Sequence, residues 1–118
     1  MIYIGSVRDI DFDFYDAVWY ITNTCPNMVV GAEHHPELAP NRYTWLDYRN
    51  HKITIEELHD DYLRDLETIS SIDVDNLIAR ASDKDILCVC YCKEYTKCHR
   101  GMLYKRLVEL GIEVQLIS

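Results

Sequence analysis

No apolar run in this sequence approaches the ~20 residues that a bilayer-spanning helix needs, and no signal-peptide pattern opens it. Basic residues are scarce. Twelve Lys and Arg stand against 20 Asp and Glu, giving a formal charge of -8 and a pI near 4.9. A sequence-independent grip on nucleic acid needs a basic surface that neutralises phosphates, so that class is disfavoured and no such binding is expected. With four glycines and three prolines, the chain shows no low-complexity segment, internal repeat or visible domain boundary. A disulfide framework is missing too. Five cysteines are an odd number, and four of them crowd onto one strand and its loop, unlike the even, spread pattern of secreted scaffolds. A reducing, cytoplasmic home is expected. The 118 residues fit one domain, since domains commonly run ~100–150 residues.

What is present centres on the stretch from Asp85 to Gly101. Residues 86–92 form a continuous apolar run, suited to a strand covered on both faces, as in a parallel sheet. Alternation places Ile86, Cys88, Cys90 and Cys92 on one face, and Leu87, Val89 and Tyr91 on the other. After a polar loop, Met102, Leu103, Leu107 and Leu110 recur at helical spacing, and Gly111 suits the position just past the helix end. Ile112, Val114 and Leu116 then alternate as a final strand. Strand, helix, strand is the reading.

Cys98, His99 and Arg100 therefore fall at a helix start beyond the carboxyl end of a strand, where open α/β sheets bind ligands. Free N–H groups and the helix dipole favour an anion there, and Arg100 adds a planar fork for phosphate or carboxylate. The same field would lower the pKa of Cys98. His99 would carry a proton near neutral pH. Each residue also has a plainer reading: Cys88 and Cys90 as small core hydrophobes, Cys98 as a turn cap, His99 as a loop pin, Arg100 as a surface ion-pair partner.

Earlier in the chain, Met1–Ile4 and Ala17–Ile21 read as strands. Asp9, Asp11 and Asp13 resemble the start of a calcium loop, but Phe14 stands where the glycine belongs and no Glu follows at the twelfth position. A polar connection with inward-facing aromatics is the expectation. From Asn27 to Pro40 the pattern is a loop, a candidate lip for the site; its adjacent His34 and His35 read as solvated rather than metal-bound. Pro40 opens a helix through Arg49. On it Tyr43, Trp45 and Tyr48 read as packing, with a stacking platform for a base as the alternative. Thr54 to Glu57 makes a capping box before an apolar stripe at Ile55, Leu58, Tyr62, Leu66 and Ile69, and Asp73 is read as the cap of the next helix.

Leu38-Ala39-Pro40, the helix over 53–66, the strand end Leu87-Cys88-Val89-Cys90-Tyr91-Cys92-Lys93 and Cys98-His99-Arg100 together resemble domain-of-unknown-function family 488. The chain departs at Cys92, where that family often has Glu. The resemblance implies a compact α/β fold with a pocket around these residues, and no particular reaction.

The fold expected is α/β: a single small domain with a short, mostly parallel sheet and flanking helices in Rossmann-like layering. For function, the leading expectation is binding or thiol-dependent processing of a small anionic molecule, nucleotide-like or phosphorylated. Cys98 and His99 would be catalytic, and Arg100, Cys90, Cys92 and Tyr91 would bind the ligand. The segment from Cys92 to Arg100 is longer than a Cys-x5-Arg phosphate loop and lacks glycine, which argues against a phosphatase-like mechanism. Two alternatives stand beside it. One is a non-catalytic acidic interaction or inhibitor protein with a macromolecular partner. The other is zinc at Cys90, Cys92, Cys98 and His99, although Cys-x-Cys on a strand is unlike the usual Cys-x2-Cys knuckle. No cofactor is implied otherwise, and no membrane partner is expected.

Overall fold

Alternating apolar strands that are short and covered on both sides dictate the architecture. A computed structural model describes residues 1–8, 11–92 and 98–117. The strands are β1 (Ile2–Ser6), β2 (Ala17–Tyr20), β3 (Glu33–His34), β4 (Ile86–Cys90) and β5 (Val114–Leu116); the helices are α1 (Arg42–Arg49), α2 (Ile55–Glu67), α3 (Ser71–Arg80) and α4 (Arg100–Glu109). The strands form one sheet in the order β3-β2-β4-β1-β5. Its pairings are parallel, with Ile2 opposite Ile86 and Ser6 opposite Cys90 on one side of β4, and Trp19 opposite Cys88 on the other. The α/β fold with a parallel sheet is as expected.

β4 lies at the centre, and all five of its residues are buried. Its alternation is as read from the sequence. Ile86 and Cys88 join a core with Ile2, Ile4, Trp19 and Ile21 from neighbouring strands. Onto this face pack Tyr62 and Leu66 of α2, Val74 and Leu77 of α3, and Leu103 and Leu107 of α4. Each such aliphatic side chain contributes roughly 1.5–3 kcal/mol on burial. Leu87 and Val89 point the other way, into a smaller cluster with Val18 and Tyr20. Connecting segments cover that second face through Phe12, Tyr15, Cys25 and Tyr91. The sheet is thus covered on both sides, with the helix cores on one.

Local signals account for most element ends. Thr54 accepts from the Glu57 amide while the Glu57 carboxylate accepts from the Thr54 amide, so the capping box is formed. Asn41 caps α1 by accepting from the Tyr43 and Thr44 amides. Gly111 follows α4 at φ 75°, the left-handed region where a Cβ is penalised.

Some boundaries differ from expectation. α3 is preceded by Ser70, which places Asp73 in the first turn rather than at the cap. Ile69 lies beyond α2 and is 73% exposed, so the stripe ends at Leu66. The stretch 27–40 is more than a loop. It contains β3 and a short 3-10 turn, Pro36–Leu38, that buries Leu38. Phe14 sits in a 3-10 turn and points outward, 80% exposed. His34 bonds to the Thr22 carbonyl, while His35 stacks on Trp19 and bonds to Glu33 and Glu37. Asp9 of the aspartate-rich stretch and loop residues 93–97 lie outside the described residues.

Candidate functional site

The carboxyl ends of the three central strands set the place. β4 stops at Cys90, whose carbonyl accepts from the Val7 amide at 2.9 Å, while the Val89 carbonyl accepts from the Ile21 amide at 3.0 Å. The chain returns at Cys98, buried directly ahead of α4. Strand end and helix start meet here.

Three thiols converge. The Sγ atoms of Cys90, Cys92 and Cys98 all lie within 4.8 Å of one another, with Cys90 and Cys98 only 2.9 Å apart. Cys88 lies two residues deeper along β4 and does not join. Burial alone, with no compensating contact, pushes its thiol up to about 12, and it behaves as core.

Arg100 opens α4 but does not face solvent. Its exposure is 0%, and its Nη1 donates to the Cys90 Sγ at 3.1 Å and to the Cys92 carbonyl at 2.8 Å. A guanidinium is costly to bury unless anions or carbonyls receive it. Burial opposes its charge, but the hydrogen bond to Cys90 and the neighbouring sulfurs outweigh that and raise its pKa above the ordinary arginine value.

The contacts of the cluster favour a thiolate at Cys90 over its neighbours. Hydrogen bonds from the Cys92 and Cys98 thiols, helped by His99 and Arg100 and opposed by burial, hold Cys90 far below the usual thiol range. Hydrogen bonding to Cys90 and Cys92, together with burial, pushes Cys98 up. Cys92, bonded to Cys90, is raised to about 11. A helix start acting alone would favour the thiolate at Cys98. Within the cluster the hydrogen bonds instead lower the pKa of Cys90 and raise that of Cys98.

His99 is half-buried at the helix start. Its Nε2 lies 2.6 Å from the Ile21 carbonyl, a pure acceptor, so Nε2 carries the proton and Nδ1 presents a lone pair. That Nδ1 is 3.6 Å from the Cys98 Sγ. Burial lowers the His99 pKa despite the opposing pull of Cys90, so the ring is neutral near pH 7. The edge of Tyr62 supports it, with ring centroids 5.4 Å apart at 88°, and the Tyr62 hydroxyl donates to the Leu38 carbonyl at 2.6 Å.

In front of the thiols opens a cavity of about 530 Å³. Cys90, Tyr91, Cys92 and His99 line one side. Tyr91 donates to the Pro26 carbonyl at 2.9 Å, which fixes the rim. The other side belongs to α1, through Arg42, Trp45, Leu46 and Arg49. Of the three aromatics weighed as a platform, Trp45 lines the cavity and Tyr43 and Tyr48 do not. Arg42 and Arg49 were not singled out by the sequence reading. Their signal was the spacing 42, 45, 46, 49, which lays one stripe along a helix. Pro40 closes the rim, so the segment before α1 does reach the cavity.

A family model described as the active DUF488-N3 subclade matches residues 23–111, spanning α1 through α4 and every residue of the thiol cluster. No curated protein and no solved structure matches the chain.

Proposed function

The chain belongs to the DUF488 family, and we propose that it binds and processes a small anionic molecule, nucleotide-like or phosphorylated, by thiol chemistry at the Cys90–Arg100 junction. The observation that carries this reading is the 3.1 Å contact between the buried Arg100 Nη1 and the Cys90 Sγ. A thiolate, not a thiol, is the nucleophile, and a fixed cation beside sulfur makes one at neutral pH. Cys90 is then the nucleophile, reached through the cavity it lines. Cys98 keeps its proton and donates it in a hydrogen bond to Cys90, and neutral His99 presents its Nδ1 lone pair 3.6 Å from Cys98 as a base for a proton released by the ligand. Arg100 acts on sulfur, so holding the ligand falls to the cavity wall.

The test is alkylation of the five thiols by iodoacetamide across pH, mapped by mass spectrometry. Cys90 is expected to react fastest below pH 7, and phosphate esters should slow it. Uniform reaction near the model-thiol pKa of ~8.5 overturns the reading.

A second reading rests on the same sulfurs. Three thiols within 4.8 Å of one another, with the His99 Nδ1 lone pair beside Cys98, are a donor set of the type zinc selects. Zinc there would organise the strand end and consume the free thiolate. Native mass spectrometry of the purified protein decides: one zinc mass, removed by chelator with loss of stability, favours the metal, and a metal-free mass with an acidic thiol favours the nucleophile.

A further inference from the structure

The α1 side of the cavity is built differently from the thiol side. Arg42, Trp45 and Arg49 form one stripe of the helix, and all three border the cavity. Arg64, Arg80 and Arg106 each have a carboxylate within 4.0 Å. Among the described residues Arg42 and Arg49 have none, and no Asp or Glu lines the cavity. In a chain of net charge -8, this is a local reversal of sign. Charge on a protein surface is normally interleaved with its opposite, so two guanidiniums without a carboxylate on one concavity fit an anion there.

Trp45 narrows the class. The chain has two tryptophans. Trp19 is 2% exposed in the core, whereas Trp45 is 36% exposed at the cavity. The Arg49 guanidinium carbon sits 5.4 Å from the Trp45 ring centroid, a cation–π contact that steadies the indole. An open indole beside two guanidiniums is the chemistry that stacks a heteroaromatic base while holding its phosphate. A cavity of about 530 Å³ lies within the range for small-molecule sites.

We infer that Arg42, Trp45 and Arg49 form a nucleoside monophosphate subsite, with the base on Trp45 and the phosphate on the two arginines. Two guanidiniums match the charge of one phosphate monoester, which is close to a dianion at pH 7. The inference rests on the reading of this cavity as the substrate pocket and names the substrate class.

The experiment is a fluorescence and calorimetric titration of the purified chain with AMP, GMP, CMP and UMP, and separately with adenosine and inorganic phosphate. At least one monophosphate is expected to quench Trp45 saturably, and Trp45→Phe should abolish the quench. Adenosine and inorganic phosphate should each bind at least tenfold more weakly than AMP. Arg42→Ala and Arg49→Ala, both on exposed positions, should each weaken binding at least fivefold without loss of folded structure.

Absence of heat and quench at millimolar monophosphate overturns the inference. So does undiminished binding in both arginine variants, and inorganic phosphate binding as tightly as AMP removes the base from it. Thiol alkylation measured on the same preparations separates the two readings. Monophosphate binding without an acidic thiol retires the thiol chemistry and keeps the subsite. An acidic thiol in a pocket that ignores all four monophosphates does the reverse.

Discussion

The Nη1 of Arg100 lies 3.1 Å from the Sγ of Cys90, joining the first residue of α4 to the last residue of β4. This contact places a cation beside the sulfur, which also has the Cys98 thiol at 2.9 Å. It adds to the hydrogen bonds from Cys92 and Cys98 that lower the pKa of this buried cysteine, a position where a thiol would ordinarily be inert.

Replacing the cation should therefore move the thiol. Arg100→Met is expected to raise the pKa of the acidic thiol by at least one unit, followed by thiolate ultraviolet absorbance across pH. Arg100→Lys keeps a charge without the fork and should fall between. Circular dichroism on both variants checks that the fold survives. An unchanged titration in a folded Arg100→Met protein would remove Arg100 from the account.

The same shift must appear in stability. Because the folded pKa of Cys90 is depressed, the unfolded chain binds more protons below the ordinary thiol value of ~8.5. Stability from this group is complete above that value and declines as pH falls toward the folded pKa. Between about pH 6.5 and 8.5 the slope should reach up to about 1.4 kcal/mol per pH unit. Denaturant midpoints measured at several pH values test this, and Cys90→Ser should flatten the window.

His99 acts at lower pH. Its folded pKa is lowered, first by burial, with Arg100 and His59 adding to the effect and Cys90 opposing it. The unfolded chain protonates this group below ~6.5 while the folded one does not, so stability again falls as pH drops through that value. His99→Gln keeps a donor toward the Ile21 carbonyl and removes the titration. Its unfolding midpoint should depend less on pH between 5 and 6.5 than that of the unsubstituted chain.

Tyr62→Phe tests the support beneath the site. The fully buried hydroxyl donates to the Leu38 carbonyl at 2.6 Å, and removing it leaves that carbonyl unsatisfied. A loss of about 1–3 kcal/mol is expected in denaturant unfolding. The ring edge against His99 is retained, so the thiol titration should move little.

Much of the frame was legible because it depends on local pattern. The two faces of β4, the Thr54–Glu57 box and the glycine after α4 each follow from residue type and spacing. The thiol cluster was legible as a neighbourhood, since a strand end and a helix start must meet in a parallel sheet. The destination of Arg100 was not. A helix-start arginine reads as solvent-facing by default, and only the tertiary position of Cys90 turns it inward. β3 escaped for another reason: two residues carry no periodicity, and Glu33–His34 gains its strand state from β2 alone. Arg42 and Arg49 were overlooked because the aromatics of α1 drew attention to residue kind rather than to the stripe they share with Trp45.

The brevity of β3 has its own consequence. On that border the sheet ends in two residues, Glu33 and His34, and on the other in the three of β5. Open strand borders are templates on which other chains can zip, and short borders blunt them. A five-stranded sheet closed off this way offers a second copy few rungs to climb, so crowding should not readily turn this protein into a fibre.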